Sequence, residues 1–178
     1  MNMGRSAPSA EEVRPPAWTL RAAGAADVEM IAELRATVMR PDLERLGRFD
    51  ETRVRQRLRE SFSARYTSVI VADGVFAGCV TVRPEGDGRW LEHFYLAPEV
   101  QGRGLGSAVL RDVLAGTDAE GVPVRLNVLR GSAAQRLYER HGFGVESQDP
   151  VDVFMVRRAR PGHRVPATPA PRGAPATP

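Results

Sequence analysis

Residues 91–107 read LEHFYLAPEVQGRGLGS, and this stretch decides the fold. It predicts a strand that ends at Leu96, a short turn, a glycine-rich loop and a helix that continues through residues 108–114. The first N–H groups of a helix have no partner inside the helix and lie at the positive end of its dipole, so they can bind an anion. Glycines before such a helix let the backbone approach a phosphate closely. We therefore expect a phosphorylated ligand at this loop.

Three kinds of glycine-rich phosphate loop can be compared with this stretch. A P-loop needs a lysine that reaches the outer phosphates, and the chain contains no lysine. The dinucleotide pattern GxGxxG is met by Gly102 and Gly104, but its third position holds Ser107. The pattern Gln/Arg-x-x-Gly-x-Gly/Ala is met in full by Gln101, Gly104 and Gly106. In this respect the loop resembles the acyl-CoA pyrophosphate loop of the GNAT superfamily of N-acetyltransferases.

A second motif follows about 30 residues later in the order of that family. Residues 124–128 predict a strand, and AAQRLYERHGF at 133–143 predicts a helix that resembles the second GNAT signature, A-x-x-x-Y-x-x-x-G-F. Ser132 is a good N-cap for this helix, and Gly142 is a good residue to end it. The resemblance covers residues 17–158 and places Tyr138 on the helix.

The resemblance implies one α/β (α+β) domain with a mixed, mainly antiparallel sheet flanked by helices. The predicted element order is β-α-α-β-β-β-α-β-α-β-β. Within it, residues 25–39 predict a helix that Pro41 ends, a second helix begins near the N-cap Asp50, and Asp73-Gly74 predicts a hairpin turn. The ends, residues 1–16 and 159–178, are rich in polar residues or in proline and alanine, and we expect them to be disordered.

Composition excludes several other classes of protein. The formal net charge is only +3, and all 25 basic residues are arginines spread along the chain, so no nucleic-acid partner is predicted. The single cysteine, Cys79, lies in an apolar run and is expected in the core. No metal site is predicted. No signal peptide or membrane span is recognisable, so a cytoplasmic location without membrane contact is expected. Homodimerisation is left open.

The resemblance also implies a division of the chemistry between two side chains. Attack by an amine requires loss of its proton, and the leaving thiolate requires a proton. Glu92 is the candidate base, acting through a water, and by strand alternation it should share a face with Phe94 and Leu96. His93 should point to the opposite face unless a β-bulge reverses it, and it is the alternative base. Tyr138 stands where GNAT enzymes often carry the acid that protonates the CoA sulfur.

The residues expected to bind acetyl-CoA are implied by the same resemblance. The backbone amides from Gly102 to Ser107 should hold the pyrophosphate, with Gln101 and Arg103 at its border, and the strand backbone should pair with the pantetheine arm. Many relatives carry an asparagine before the second helix; here Ser132 stands there, and Asn127 is the candidate substitute. The full predicted set is Phe94, Tyr95, Leu96, Gln101, Gly102, Arg103, Gly104, Leu105, Gly106, Ser107, Asn127, Ser132, Ala134 and Tyr138.

The acceptor is poorly specified by sequence. Arg45, Arg53 and Arg57 offer an anion-binding pocket, but a solvated helix face interleaved with Glu51 and Glu60 is the favoured interpretation of these residues. The aromatic residues Phe49, Phe62, Tyr66 and Tyr95 offer an apolar pocket instead. We expect an acetyl-CoA-dependent N-acetyltransferase that acts on the primary amine of a small molecule or peptide. The alternative is a GNAT-fold domain that binds acyl-CoA without turnover.

Overall fold

The computed structural model describes residues 16–159, so the segments 1–15 and 160–178, which carry the predicted disordered ends, lie outside the described residues. Within residues 16–159, no helix is long and apolar enough to cross a membrane. The elements are β1 Trp18–Ala22, α1 Val28–Arg45, α2 Glu51–Ser61, β2 Thr67–Ala72, β3 Val75–Glu85, β4 Gly88–Leu96, α3 Leu105–Glu120, β5 Val124–Leu129, α4 Ala133–Arg140, β6 Gly144–Gln148 and β7 Asp152–Arg157.

One seven-stranded sheet has the order β1-β2-β3-β4-β5-β7-β6. Only β4 and β5 pair in parallel, and they pair only at Arg89 with Val124 and at Trp90 with Arg125. All the other neighbouring strands are antiparallel. The predicted mixed, mainly antiparallel sheet and the predicted element order are therefore confirmed.

Two apolar clusters cover the two faces of the sheet. The larger cluster packs α3 and α4 against the sheet around Leu91, Leu110 and Leu126. The smaller cluster packs α1 and α2 against the other face around Ile31, Leu58 and Val69. Alternate strand residues point to opposite faces, so β2, β3 and β4 contribute to both clusters. Helices therefore lie on both sides of the sheet, and Cys79 is buried as expected.

The structure extends the first predicted helix. Residues 25–27 form a single 3-10 turn, and α1 then runs from Val28 to Arg45 with Pro41 inside it. The expectation that Pro41 ends the helix was wrong. Pro41 is exposed, and the turn after it is held by hydrogen bonds from Arg45 to the Asp42 carboxylate and to the Arg130 carbonyl. These contacts offset the hydrogen bond that proline cannot donate.

The other local predictions agree with the structure. Asp50 caps α2 by accepting a hydrogen bond from the Arg53 N–H (2.8 Å). Asp73 and Gly74 form the hairpin turn, both with positive φ. Ser132 caps α4 by accepting from the Gln135 N–H (3.1 Å), and Gly142 follows that helix at φ 87°. Short polar side chains and glycines thus set the ends of these elements as expected.

Candidate active site

The sheet opens between β4 and β5. These strands diverge after Trp90, so the edge of β4 from Leu91 to Leu96 faces no neighbouring strand on the β5 side. A cavity of about 1090 Å³ lies at this opening and is lined by residues of both helical layers. The unpaired strand edge gives the cavity a row of backbone donors and acceptors.

The glycine-rich loop borders this cavity at the N-terminus of α3. Gly102 (φ 71°) and Gly104 (φ 81°) both adopt the left-handed conformation, and Gly104 is the N-cap of α3. Among the described residues, the N–H groups from Gly102 to Ser107 have no hydrogen-bond acceptor. The loop therefore presents a run of free donors at the positive end of a helix, which suits an anionic group such as a pyrophosphate.

The residues of this loop differ in whether they line the cavity. Gln101 donates a hydrogen bond from Nε2 to the Leu96 carbonyl (2.8 Å) and so ties the loop to the end of β4. Gly102, Gly104, Gly106 and Ser107 line the cavity with Gln101. Arg103 and Leu105 do not line it: Arg103 is exposed, and Leu105 is fully buried in the core. The side chains of these two residues therefore do not contribute to the cavity wall.

A β-bulge at His93 interrupts β4. The pairing with β3 shifts between Cys79 and Thr81, and His93 has φ 48°. The bulge places Glu92 and His93 on the α1–α2 side of the sheet, because Glu92 pairs with Thr81 and His93 contacts the same threonine. The expectation that Glu92 shares a face with Phe94 and Leu96 was wrong, because those two residues pack on the other side, against the larger cluster.

Both candidate bases line the cavity, in different environments. Glu92 is partly buried and accepts a hydrogen bond from Arg83 Nε (3.1 Å). His93 is buried between Ser61 Oγ (3.1 Å from Nε2) and Thr81 Oγ1 (3.4 Å from Nδ1). Burial lowers the pKa of His93 to about 4, with smaller contributions from the nearby arginines. His93 is therefore neutral near pH 7.

Tyr138 lies on α4 and lines the same cavity. It is 5% exposed and packs edge-on against Phe143, with 5.5 Å between the ring centroids. Burial raises the pKa of the Tyr138 hydroxyl well above its ordinary value, and Tyr95 adds to this effect. The hydroxyl makes no hydrogen bond to another described residue. It is thus a protonated donor without a partner in residues 16–159.

The remaining predicted coenzyme-binding residues also line the cavity. Phe94, Tyr95 and Leu96 lie on the unpaired part of β4. Asn127 lies on β5 and donates a hydrogen bond to Asp152 (3.2 Å), which uses one of its two amide N–H groups. The Ser132 hydroxyl accepts the capping hydrogen bond, and Ala134 packs partly buried on the first turn of α4.

The opposite wall of the cavity comes from α1, α2 and the turn between β6 and β7. Arg53 and Arg57 are part of it. Arg45 is not; it pairs with Asp42 and donates a hydrogen bond to the Arg130 carbonyl. Of the four aromatic candidates, Tyr95 lines the cavity, whereas the others, Phe49, Phe62 and Tyr66, do not.

Sequence reasoning missed Arg35, which also lines the cavity. Its guanidinium carbon is 5.9 Å from the centroid of the Tyr95 ring. A signal was present: Arg35 stands four residues after Ile31 and three before Val38, so it interrupts the apolar face of α1. A charged side chain on the buried face of a helix indicates a polar cavity beneath it.

Comparison with known proteins agrees with this geometry. Residues 64–145 match the family model described as an acetyltransferase (GNAT) domain. The chain is similar in fold to PaiA N-acetyltransferase from Thermoplasma acidophilum, solved in complex with coenzyme A, with 20% identity, a TM-score of 0.65, and coverage of 80% of this chain and 99% of that one. It is also similar to the ribosomal-protein-S18-alanine N-acetyltransferase from Escherichia coli, with 19% identity, a TM-score of 0.60, and coverage of 80% of this chain and 94% of that one. A third similar structure is Ard1 from Thermoplasma volcanium, with 18% identity, a TM-score of 0.59, and coverage of 80% of this chain and 98% of that one. No curated protein sequence matches the chain.

Proposed function

Because residues 64–145 belong to the GNAT family of acetyltransferase domains, we propose that this protein transfers an acetyl group from acetyl-CoA to the primary amine of a small molecule or peptide. One observation carries the proposal: a single cavity brings together the free N–H groups of the α3 loop, the unpaired edge of β4 and the unpartnered hydroxyl of Tyr138. A phosphate site, a strand edge and an acid are what transfer from a CoA thioester requires.

The residues present fit coenzyme A in this cavity. The N–H groups from Gly102 to Ser107 would hold the pyrophosphate, and the edge of β4 near Phe94 to Leu96 would bond the amide groups of the pantetheine arm as an added strand does. This arrangement directs the thioester toward the opening between β4 and β5. Bound acetyl-CoA supplies the activated acetyl group.

The chemical step is a direct transfer. The neutral amine attacks the thioester carbonyl carbon, a C–N bond forms, and the C–S bond breaks. Tyr138 gives its proton to the departing sulfur, and its raised pKa keeps that proton available throughout the neutral range. Glu92 takes the proton of the amine through a water molecule. Its hydrogen bond to Arg83 keeps the carboxylate oriented beside the bulge. N–H groups on the free edge of β4 stabilise the negative charge on the carbonyl oxygen.

The proposal is tested by acetyl transfer to a broad panel of amines, with CoA release and product mass as the readouts. We expect Tyr138→Phe to lower kcat by about 100-fold or more, the usual contribution of a positioned acid, without loss of CoA affinity. Glu92→Gln should lower kcat in the same way. Matched controls are Tyr66→Phe and Glu85→Gln, because Tyr66 lies outside the cavity and Glu85 is the other carboxylate that pairs with Arg83. CoA binding without turnover on any amine would instead support the non-catalytic acyl-CoA-binding alternative.

A further inference from the structure

The two walls of the cavity come from different elements, and the charged side chains of one wall restrict which acceptor can bind. On the proposed function, the coenzyme occupies the wall built by the α3 loop, the edge of β4 and α4. The acceptor must then reach the thioester from the other wall, which α1, α2 and the β6–β7 turn form. The charges of that second wall therefore decide which amines fit.

The carboxylates around this wall are all engaged. Asp42 pairs with Arg45, Asp50 caps α2, and Glu92 accepts from Arg83. Asp149 accepts from the N–H groups of Val151 and Asp152 in its own turn, and Asp152 accepts from Asn127. Asp42 and Glu92 are thus neutralised by arginines, whereas Asp50, Asp149 and Asp152 keep their charge but use it on neutral donors of the protein.

Four arginines of this wall form no ion pair with a described residue. Arg35, Arg48, Arg53 and Arg57 line the cavity, and among the described residues none of the four has a carboxylate within ion-pair distance. Arg57 acts on Asp152 only at longer range. These four arginines outnumber the three carboxylates of the wall that have no arginine partner, Asp50, Asp149 and Asp152, so the wall is net positive and favours an anionic group on the acceptor.

Arg35 stands out among these residues because it is the one next to the reacting centre. Burial raises the pKa of Tyr95 and lowers that of His93; the guanidinium of Arg35, beside the Tyr95 ring, opposes the first shift and adds to the second, so its charge reaches the bulge of β4. Its Nε atom is buried and has no hydrogen-bond partner among the described residues. Buried donors are nearly always satisfied by protein, water or ligand atoms, so this N–H group is available to a molecule that enters the cavity.

We propose that the acceptor is an amine that carries a carboxylate, as a free amino acid does, and that Arg35 binds this carboxylate. An arginine can hold both carboxylate oxygens with parallel N–H donors, and this fixes the position of the attached amine as well as binding the group. Held beside Tyr95, the carboxylate leaves the amine directed at the opening between β4 and β5. The more exposed Arg48, Arg53 and Arg57 attract the anion to the entrance of the cavity.

The inference is tested with matched acceptors that differ only in the carboxylate, such as each amino acid and its carboxamide. For the wild type we expect the carboxylate form to be preferred in kcat/KM. In Arg35→Met, which keeps the apolar stem over Tyr95, the KM of the carboxylate form should rise by about 10- to 100-fold, the usual range for a charge-assisted pair. The KM values for the carboxamide and for acetyl-CoA should not change. Arg40→Met is the matched control, because Arg40 lies on the same helix outside the cavity.

Other outcomes separate this inference from the proposed function. The carboxylate assignment would be overturned if the wild type had equal kcat/KM values for the carboxylate and carboxamide forms, or if Arg35→Met lowered both values equally. Either result would leave the proposed transferase activity unaffected. If no amine is acetylated, calorimetric binding of the same acceptor pairs to CoA-saturated protein replaces turnover: a carboxylate preference that Arg35→Met removes supports the inference, and its absence overturns it. Arg35→Lys keeps the charge and should retain part of the preference, which guards against a folding defect in the methionine variant.

Discussion

At the scale of single residues, the bulge of β4 determines which side chains meet in the cavity. His93 occupies a left-handed backbone conformation, and its side chain reaches two hydroxyl groups on the α1–α2 side. Because the extra residue shifts the alternation, consecutive residues Glu92 and His93 lie on one side of the sheet. The bulge thus brings a carboxylate and a neutral imidazole together beside Tyr95.

Burial of neutral His93 makes stability depend on pH. The unfolded chain protonates this residue near pH 6.5, whereas the folded protein does so only near its lowered pKa of about 4. Between these values the unfolded state binds more protons, so stability falls as pH falls through this window. We expect His93 to cost the wild type about 2 kcal/mol of its free energy of unfolding between pH 7.5 and pH 5.

Urea unfolding at both pH values measures this effect, with His93→Asn as the comparison because asparagine tolerates the left-handed conformation. Between pH 7.5 and pH 5, the free energy of unfolding of His93→Asn should fall by about 2 kcal/mol less than that of the wild type. Asp27 does not interfere, since the hydrogen bonds from Arg21 hold the pKa of its carboxyl at about 2 and its contribution is lost only below about pH 4. Identical pH dependence in the two proteins would refute the assignment.

At the scale of elements, α3 and its preceding loop form the anion site. Gly104 combines a positive φ with open space around its Cα, so a side chain placed there would project without a clash. Gly121, the C-cap of the same helix, is exposed and also combines a positive φ with open space, so a side chain is equally strained at either position. The two glycines therefore differ mainly in their distance from the free N–H groups.

This pair of glycines gives a matched test of the loop. In Gly104→Asp a carboxylate enters the proposed phosphate cradle, and we expect the Kd for CoA to rise about tenfold or more, because like charges are placed side by side. Gly121→Asp adds the same charge at the same kind of backbone conformation, at the other end of the helix, and should leave the Kd unchanged. Isothermal titration calorimetry measures both values, and equal CoA affinity in the two variants would remove the loop from the binding site.

At the scale of the whole molecule, the sheet consists of two halves that are connected by a short parallel ladder. β1 to β4 form one half and β5 to β7 the other, and the ladder between them has only two residue pairs. The halves are held together by α3, which packs across both in the larger cluster, and by an ion pair. Arg157 on β7 donates two hydrogen bonds of 2.7 Å to Asp118 on α3 and one to the His141 carbonyl.

Removal of one partner of this ion pair should destabilise the whole protein. Arg157 is 6% exposed, so Asp118→Asn leaves a buried guanidinium without its counter-charge, and we expect a loss of about 3 kcal/mol in the free energy of unfolding. Asp87→Asn is the control: its ion pair with Arg125 is largely exposed and should contribute less than about 0.5 kcal/mol. Denaturant unfolding measures both, and equal effects would show that the Arg157–Asp118 pair does not hold the halves together.

The sequence by itself determined the features that depend on neighbours along the chain. The order of strands and helices, the caps at Asp50 and Ser132, the Asp73-Gly74 turn and the glycine loop all follow from local hydrogen bonding, backbone conformation and periodicity, and most of them could be predicted. The end of α1 could not, because Arg45 stabilises the turn beyond Pro41 through a carbonyl 85 residues away.

Only the tertiary structure decided which side chains share the cavity. The bulge that turns His93 and Glu92 to one side is a mismatch between two strands, so no single segment encodes it. Arg35 likewise has no ion pair among the described residues because the carboxylates near it bind other groups of the fold. Local sequence specifies conformation over a few residues, whereas the chemistry of a site depends on distances between residues that are far apart in the chain.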